Sequence, residues 1–311
     1  MKHLFIINPA AGSCDQTVPL SAEIRAVCGP AGIPYEIAVS RAPGDCERIA
    51  REAAETGEEV RIYACGGDGT LNEVVRGVAG HKNAAVTCLP RGSGNDFIRI
   101  FSEPEAFRDL ARLLDAQEAE FDLIRCNDTF ALNVCSVGLD ARIGTDIAKY
   151  KRVPVLRLLG AYNVSTVVNL LRGISRPFRV EINGEVIDAR QTLICACNGR
   201  FYGGGYNPVP EADPADGLLD VLLVKKVNLF QVAGVIGEYK KGRYARYPQL
   251  IRHVRTDHFC VDCGEDSAVN LDGELLTARR AEFSVAEEKL RFFYPRGLTW
   301  AAKTPEAISA T

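Results

Sequence analysis

The chain has 311 residues, of which 47% are hydrophobic and 25% charged, and its net charge is −3. This length exceeds one typical domain and the apolar content suffices for large cores, so we expect two domains. The nearly balanced charge argues against a general nucleic-acid-binding protein, and the eleven cysteines form no paired framework, which predicts reduced thiols in a cytoplasmic protein.

The first part of the chain alternates strand and helix patterns. Predicted strands cover His3 to Asn8, Pro34 to Val39, Val60 to Cys65 and Ala85 to Leu89. Predicted helices cover Leu20 to Cys28, Asp45 to Thr56 and the residues that follow Thr70 as far as Val78. Such alternation indicates a parallel sheet, in which ligands bind at the carboxyl ends of the strands. Three glycine-bearing turns follow predicted strands: Asn8 to Gly12, Gly66 to Thr70, and Pro90 to Phe97.

After Glu120 the pattern changes to short alternating runs with turn residues between them. The predicted strands are Arg179 to Ile182, Val186 to Asp188, Leu193 to Cys197, Leu218 to Val224, Phe259 to Asp262, Ala268 to Leu271, Glu282 to Val285 and Leu290 to Tyr294. This pattern is typical of an antiparallel β domain. We place the boundary between the two domains near residues 121–130.

The turn after the third predicted strand carries a carboxylate, which is unusual at a phosphate site. Glycines at such a turn let the backbone bend tightly and let a ligand approach, and amides at the following helix start attract phosphate. An aspartate there repels phosphate unless a cation lies between them, so Asp68 suggests a nucleotide held with Mg²⁺. A purely structural glycine turn is the alternative. The spacing matches neither the Walker pattern nor the G-x-G-x-x-G pattern.

Two motifs make the chain resemble the diacylglycerol kinase catalytic family, in particular its soluble bacterial lipid kinases. They run from Gly66 to Glu73 and from Pro90 to Phe97. Later segments occur in the family's order: Gly138 to Ala141, Asn198 with Gly203 to Gly205, Pro210 to Asp220, and Asp272 to Glu274. The resemblance covers essentially the whole chain.

The resemblance implies a fold with two domains and an active site in the cleft between them. Residues 1–125 would form an α/β ATP-binding domain with a parallel sheet, like that of NAD kinases and diacylglycerol kinases. Residues 126–294 would form an antiparallel β-sandwich domain that binds the lipid substrate. The tail of residues 295–311, which holds the only tryptophan, Trp300, would pack back on the first domain.

The resemblance places the nucleotide at the glycine turns. The implied nucleotide-binding residues are Asn8, Gly12, Ser40, Gly66, Gly67, Asp68, Gly69, Thr70, Asn72, Glu73, Ser93, Asn95 and Asp96. Asn8 and Ser40 could equally be ordinary turn or cap residues. Arg91 departs from the family pattern, because many relatives have an apolar residue there, and we interpret it as a solvated loop residue.

Two magnesium sites are implied as well. Asp68 is the main candidate for holding the Mg²⁺ of the nucleotide through water, with Asp96 and Asp140 in the same network, although a helix cap is the alternative for such carboxylates. Asp213, Asp216 and the carbonyl of Leu218 would bind a second, structural Mg²⁺, since closely spaced oxygens in a glycine-containing loop suit that ion. The alternative for this loop is an ordinary polar turn.

Phosphoryl transfer also needs a group that accepts the proton of the attacking hydroxyl. Glu274 corresponds to the family's catalytic glutamate, with Asp68 supporting the reaction through Mg²⁺. Asp272-Gly273 by itself predicts a type I′ hairpin turn, which is compatible with a tip that presents Glu274.

We therefore predict a kinase that uses ATP and Mg²⁺ to phosphorylate a hydroxyl of a membrane lipid, with diacylglycerol as the first candidate. Another lipid or alcohol, such as a sphingoid base or phosphatidylglycerol, is the alternative acceptor. The alternative outside enzymes is a nucleotide-binding regulatory protein without turnover.

A basic and aromatic segment favours peripheral contact with a membrane. Between Glu238 and Arg255 the chain carries Lys240, Lys241, Arg243, Arg246, Arg252 and Arg255, interleaved with Tyr239, Tyr244 and Tyr247. Such residues suit an anionic bilayer interface, and a solvated helix face is the equal alternative. The apolar stretch Val153 to Gly173 is interrupted by polar residues, so we expect an amphipathic helix there. The predicted location is cytoplasmic and peripheral at the inner face of the membrane, without a nucleic-acid partner and with a homodimer as an option.

Overall fold

The computed structural model of the chain describes residues 1–92, 94–139, 141 and 174–300. The first domain is built on a sheet with strand order β2-β1-β3-β4-β15-β5. Its strands are β1 (Lys2–Ile7), β2 (Tyr35–Val39), β3 (Val60–Gly66), β4 (Ala84–Pro90), β5 (Ala116–Phe121) and β15 (Leu290–Pro295). All neighbouring pairs are parallel except β15 and β5, which are antiparallel.

Helices connect the strands of this sheet. They are α1 (Thr17–Cys28), α2 (Asp45–Glu55), α3 (Asp68–Val78) and the short α4 (Leu110–Leu114). Helix α2 shows why this segment is helical: its buried residues Cys46, Ala50 and Ala54 recur every four residues, whereas Arg48 and Glu52 pair on the outer face. Apolar residues on one face and charge pairs on the other are what a helix needs to pack on a sheet.

The second domain is a sheet of nine antiparallel strands with the path β12-β11-β10-β8-β13-β14-β6-β7, and β9 pairs with both β10 and β13. The strands are β6 (Ile124–Cys126), β7 (Thr129–Ala131), β8 (Val134–Gly138), β9 (Arg176–Ile182), β10 (Glu185–Cys197), β11 (Leu219–Lys225), β12 (Ile251–Thr256), β13 (His258–Leu271) and β14 (Glu274–Val285). Residues of β6, near one end of the path, and of β11, near the other end, share one apolar core. The sheet therefore folds back on itself.

Strand β10 shows how this domain uses alternating residues. Ile194 and Ala196 face the core shared by the two ends of the sheet. Cys195 and Cys197 face a smaller core on the other side, where helix α5 (Leu229–Tyr239) packs through Tyr239. Successive side chains of a strand point to opposite faces, so both faces of the C-terminal part of this strand are buried.

The predicted fold class, a parallel α/β domain followed by an antiparallel β domain, is confirmed. The predicted strands at Val186 to Asp188 and Leu193 to Cys197 are parts of the single strand β10. Likewise, Phe259 to Asp262 and Ala268 to Leu271 belong to the single strand β13, which contains a register shift. A local turn-like composition within a long strand can be accommodated by a bulge, which keeps the strand continuous.

The assignment of the strand at Leu290 to Tyr294 to the second domain was wrong. The strand, β15, lies in the first sheet between β4 and β5. Phe292, Phe293 and Tyr294 are all at most 4% exposed, because a strand inside an α/β sheet is covered on both faces. The chain then stays with the first domain, where Leu298 and Trp300 pack on its core.

None of the helices in the described ranges is both long and apolar enough to cross a bilayer. The predicted amphipathic segment Val153 to Gly173 lies outside the described residues, as does the end of the tail from residue 301 onward. The structure shows all eleven cysteines as free thiols, and ten of them are buried.

Candidate active site

A cleft of about 820 Å³ lies where the two domains meet. On the side of the first domain it is lined by Asn8, by residues 67–73 of the β3–α3 turn and by the loop after β4. On the side of the second domain it is lined by residues 132–134, 202–204, 270 and 272–274. Both glycine motifs and Glu274 therefore face one space, as the sequence analysis expected of a cleft between domains.

The β3–α3 turn is held in place by two neighbouring turns. The carbonyl of Gly66 accepts hydrogen bonds from the amides of Arg91 (2.8 Å) and Gly92 (3.0 Å). Thr70 Oγ1 accepts a hydrogen bond from Asn8 Nδ2 (3.0 Å), and a Cβ on Gly66 would lie only 2.2 Å from that hydroxyl. Helix α3 begins at Asp68, and none of the side chains that the structure describes caps its start. Its first amides are thus available to an anion in the cleft.

Two glycines let the motifs touch through their backbones. A Cβ on Gly92 would lie 2.4 Å from the Cα of Gly67, and a Cβ on Gly12 would lie 2.4 Å from the carbonyl oxygen of Arg91. Gly12 also has a φ of +80°, which side chains rarely adopt. The three predicted turns consequently form one continuous wall.

Asp68 connects this wall to the next loop. Its Oδ1 accepts a hydrogen bond from the amide of Asp96 (2.5 Å), and its Oδ2 faces Gly94, where an added Cβ would lie 2.3 Å away. Burial and the negative charge of Asp96 raise the pKa of Asp68 above its usual value, although backbone amides work in the opposite direction. Two carboxylates close together in a half-buried site are costly unless a cation joins them.

Asp96 also connects the two domains. Its Oδ2 accepts a hydrogen bond from the amide of Gly204 (2.7 Å), and its Oδ1 lies 3.1 Å from Nε of Arg99. The side chain is almost fully buried. Asp96 therefore contacts the second domain at the edge of the cleft.

The hairpin between β13 and β14 presents Glu274 to the cleft. Asp272 and Gly273 have φ values of +51° and +93°, and Leu271 pairs with Glu274, so the predicted two-residue type I′ turn is present. The carboxylate of Asp272 accepts hydrogen bonds from the amides of Leu132 (2.7 Å) and Val134 (2.7 Å). Burial raises the pKa of Asp272 to about 6 against the effect of these amides. This carboxylate fixes the hairpin, and Glu274 projects from it.

Arg76 holds Glu274 from the first domain. Both of its terminal nitrogens bind the Glu274 carboxylate, one of them at 3.1 Å, and its Nε donates to Glu47 (2.9 Å). Burial by itself lowers the pKa of Arg76. The hydrogen bonds that Arg76 donates to Glu274 and Glu47, together with the charges of these carboxylates, outweigh the effect of burial, so the pKa of Arg76 is raised. Asn72, in the amide orientation that suits both neighbours, bridges Asp272 and Arg76 at 3.3 Å each.

The sequence analysis did not identify Arg76. A signal was present, because Asp68, Asn72 and Arg76 recur every four residues and so form a polar stripe on one face of α3. A stripe of this kind on a helix that also packs on a sheet indicates a polar neighbour on that side.

The loop predicted as a second magnesium site makes protein contacts. Asp213 Oδ1 accepts from the amide of Ala215 (3.1 Å), and Asp216 Oδ1 accepts from the amide of Leu218 (3.0 Å). The other oxygen of Asp216 pairs with Arg255. Burial raises the pKa of Asp216. Within the described ranges no three His, Cys, Asp or Glu side chains converge as a metal site, so this site stays a prediction.

Other predicted residues lie at different distances from the cleft. Gly12, Gly67, Gly69, Thr70, Asn72 and Glu73 line it. Ser40 is buried. Neither Ser40 nor Gly66 nor Asn95 is among the residues that line the cleft. Glu73 accepts a hydrogen bond from the amide of Cys46 (3.1 Å) at the start of α2. Ser93 and Asp140 lie outside the described residues, and the roles of all these residues in binding stay predictions.

Two asparagines that had no assigned role support the far wall. Asn198 is fully buried and donates to the carbonyls of Asp122 (2.8 Å) and Leu132 (2.6 Å). Asn133 donates to the carbonyl of Phe201 (2.6 Å), and Gly199 leaves room for its Oδ1, since a Cβ there would lie 2.1 Å away. These bonds fix residues 132–134, which in turn bind Asp272.

The basic segment between Glu238 and Arg255 is partly neutralised. Arg243 and Arg246 pair with Glu238. Arg252 pairs with Glu185, and Arg255 pairs with Asp216. Of its tyrosines, Tyr239 is buried and Tyr244 bonds to Glu211 and to His253. Acidic side chains thus neutralise several of the cations, and fewer of the aromatic rings are exposed than the sequence analysis expected.

Comparisons with known proteins agree with this architecture. Residues 2–126 match the family described as the diacylglycerol kinase catalytic domain, and residues 133–294 match the YegS C-terminal NAD kinase beta sandwich-like domain. The chain is 32% identical over 273 residues to a probable lipid kinase YegS-like of Pseudomonas aeruginosa, covering 86% of this chain and 87% of that protein. A protein of the same description from Xanthomonas oryzae pv. oryzae is 29% identical over 278 residues, covering 85% and 88%.

Solved structures are similar over nearly the full length. A structure described as a diacylglycerol kinase from Bacillus anthracis str. Sterne matches with a TM-score of 0.67 and 21% identity, covering 95% of this chain and 97% of that one. A second structure from the same strain matches with a TM-score of 0.73 and 24% identity over the same shares. At these identities the matches show the fold alone.

Proposed function

Because the chain belongs to the lipid kinase family that joins a diacylglycerol kinase catalytic domain to a YegS-type C-terminal domain, we propose that it transfers the γ-phosphate of ATP to a hydroxyl of a membrane lipid, with diacylglycerol as the acceptor. One observation carries the proposal: the glycine wall and the carboxylate of Glu274 line the same cleft from opposite domains. This arrangement supports the proposal, because a phosphate donor bound at the glycine turns would lie across one space from a proton acceptor at Glu274.

The wall supplies the groups that phosphate binding needs. The first amides of α3, the Asn8 amide group and the Thr70 hydroxyl are held in fixed positions by the contacts between the turns. Backbone amides in a rigid arrangement stabilise phosphate oxygens without reorganisation, which is the main contribution that proteins make to phosphoryl transfer.

A divalent cation fits beside Asp68. Oδ2 of Asp68 faces a space that a side chain at position 94 would fill. Burial and the nearby charge of Asp96 raise the pKa of Asp68, so a cation beside Asp68 would stabilise its charged form in addition to the pairing of Arg99 with Asp96. We assign Asp68 and Asp96 to holding the Mg²⁺ of the nucleotide, which would neutralise charge on the phosphate oxygens.

Glu274 acts on the acceptor. The lipid hydroxyl attacks the γ-phosphorus, the bond from that phosphorus to the bridging oxygen of ADP breaks, and the hydroxyl proton passes to the Glu274 carboxylate. Arg76 binds both oxygens of this carboxylate, so it positions the base and keeps it directed into the cleft. The side chain of Glu274 is still 39% exposed, which leaves it accessible to a substrate.

The test is Glu274→Gln, with Glu282→Gln as the matched control on the same strand. Glu282 is exposed and, within the part of the chain that the structure describes, its side chain pairs with Arg280 alone, so its replacement should leave turnover unchanged. We expect Glu274→Gln to lower kcat on the order of 10²- to 10⁴-fold with the affinity for ATP retained. A wild type that binds ATP but phosphorylates no lipid would favour a regulatory protein instead.

A panel of acceptors separates the remaining alternatives. Diacylglycerol, a sphingoid base, phosphatidylglycerol and glycerol should be offered with Mg²⁺ and ATP under the same conditions. Highest kcat/KM with diacylglycerol supports the proposed acceptor. A higher value with another acceptor overturns the choice of diacylglycerol while leaving the kinase assignment intact.

A further inference from the structure

Helix α5 is apolar on the side that faces away from the protein. Val232, Val235 and Tyr239 pack against the small core of the second domain. The opposite side carries Phe230, which is 90% exposed, with Ala233, Gly234 and Gly237 beside it at helical spacing, and the flanking Ile236 is 43% exposed. A helix on a protein surface normally carries charged residues on this side, and one that is apolar all round is normally covered.

Lysines flank this helix at both ends. Lys225 and Lys226 precede its first residue, and Lys240 and Lys241 follow its last. Eleven residues of helix rise about 16 Å, so the two pairs stand on either side of the apolar surface. The only acidic residue between Lys225 and Lys241 is Glu238, and Arg243 and Arg246 already pair with it. The surface is therefore apolar at its centre and positive at both ends.

The same helix contacts the wall of the cleft. The hydroxyls of Tyr239 and Tyr202 are 3.2 Å apart, and the carbonyl of Lys240 accepts a hydrogen bond from the amide of Asn207 (3.0 Å). Lys240 also lies over the ring of Tyr206, 5.0 Å from its centre. Tyr202 lines the cleft together with residues 203 and 204. The exposed helix and the mouth of the cleft are thus connected through one short loop.

We propose that α5 is the surface through which the protein docks on an anionic lipid bilayer, with Phe230 and Ile236 entering the interface and the flanking lysines on the headgroups. Apolar residues on a helix with cations around them are the combination that holds interfacial helices to anionic membranes. A second copy of the chain fits less well, because a two-fold contact through this face would bring four more lysines against the four already there. The inference rests on the proposed function in one respect: a membrane lipid as substrate gives the protein a reason to dock on a bilayer.

The experiment measures binding to vesicles without nucleotide. Wild type, Phe230→Ser and Val18→Ser are sedimented with vesicles of phosphatidylcholine alone and with vesicles that contain phosphatidylglycerol. Val18 is a suitable control because it is also strongly exposed, at 80%, but lies on α1 of the first domain. We expect wild type to bind the anionic vesicles with an affinity that falls as salt is added. Phe230→Ser should lower this affinity about tenfold or more, whereas Val18→Ser should leave it unchanged.

A second variant tests the charge. Replacing Lys225, Lys226, Lys240 and Lys241 by Gln should abolish the preference for anionic vesicles, since each cation near such a surface changes binding about fivefold. Equal binding of Phe230→Ser and wild type would overturn the proposal. So would a dimer in sedimentation velocity that Phe230→Ser dissociates while vesicle binding is unchanged.

Docking and catalysis fail in different assays. Phosphorylation of a short-chain, water-soluble diacylglycerol needs no vesicle, so Phe230→Ser should retain it. A wild type that phosphorylates this substrate but binds no vesicle overturns the docking surface alone. A wild type that binds anionic vesicles through Phe230 but phosphorylates no lipid overturns the kinase and leaves the docking surface standing.

Discussion

His3 provides a quantitative test of the core of the first domain. Its side chain lies on β1, and the residue is 6% exposed. Its Nδ1 is 2.8 Å from the hydroxyl of Tyr63, and the two rings stack with centres 5.7 Å apart. Burial, with smaller effects of Arg61 and the amino terminus, lowers the pKa of His3 from 6.5 to about 4. The unfolded chain therefore binds a proton below pH 6.5 that the folded protein binds only near pH 4.

The direction and the size of the effect follow from this difference. The contribution to stability is complete above pH 6.5 and is lost as the pH falls toward 4. The full loss corresponds to about 3 kcal/mol at ~1.36 kcal/mol per pH unit, and about 1.4 kcal/mol of it should be gone by pH 5.5.

The assay compares wild type with His3→Asn, which keeps a polar group near Tyr63 but does not titrate. Urea unfolding gives the free energy of unfolding of both proteins at pH 7.5 and 5.5, and the difference between the proteins cancels the groups that they share. Between pH 7.5 and pH 5.5 the free energy of unfolding of wild type should fall by about 1.4 kcal/mol more than that of the variant. An equal loss in both proteins, within about 0.4 kcal/mol, would show that the buried ring titrates normally and would refute the reasoning.

Two further predictions concern the cleft. Gly92→Ala should lower kcat/KM by about 100-fold, because the 2.4 Å approach to the Cα of Gly67 forces the two turns apart and a shift of about 1 Å at a reacting centre costs that much; unchanged steady-state kinetics on the short-chain lipid would contradict it. Asn198→Ala should lower the free energy of unfolding by about 2–4 kcal/mol, because it leaves two buried carbonyls without donors; a loss under about 1 kcal/mol in urea unfolding would contradict it.

Much of the first domain could be predicted because its signals are local. A strand of continuous apolar residues, a glycine turn and an amphipathic helix can each be recognised from about ten residues of sequence. The same holds for the type I′ turn at Asp272 and Gly273, where both residues have positive φ. The three glycine turns that line the cleft lie together because carboxyl ends of parallel strands share one edge.

The remaining features depend on contacts that no local pattern encodes. The strand β15 was recognised as a strand, but a run of Leu290, Arg291 and three aromatic residues does not indicate which sheet the strand will join. Arg76 and Glu274 meet although they are 198 positions apart. Asp272 was read as a turn residue, whereas its carboxylate binds three backbone amides of another loop. Such pairings are decided when the domains assemble.

The position of β15 has a consequence for how the protein is made. The strand that completes the first sheet follows all strands of the second sheet in the chain, so a ribosome synthesises it after them. Until then β4 has no neighbour on one side and presents an open edge, which is a hazard for growing chains. The wall of the cleft at the end of β4 thus gains its final support only when the second domain has also been synthesised, so the two domains complete their folding together.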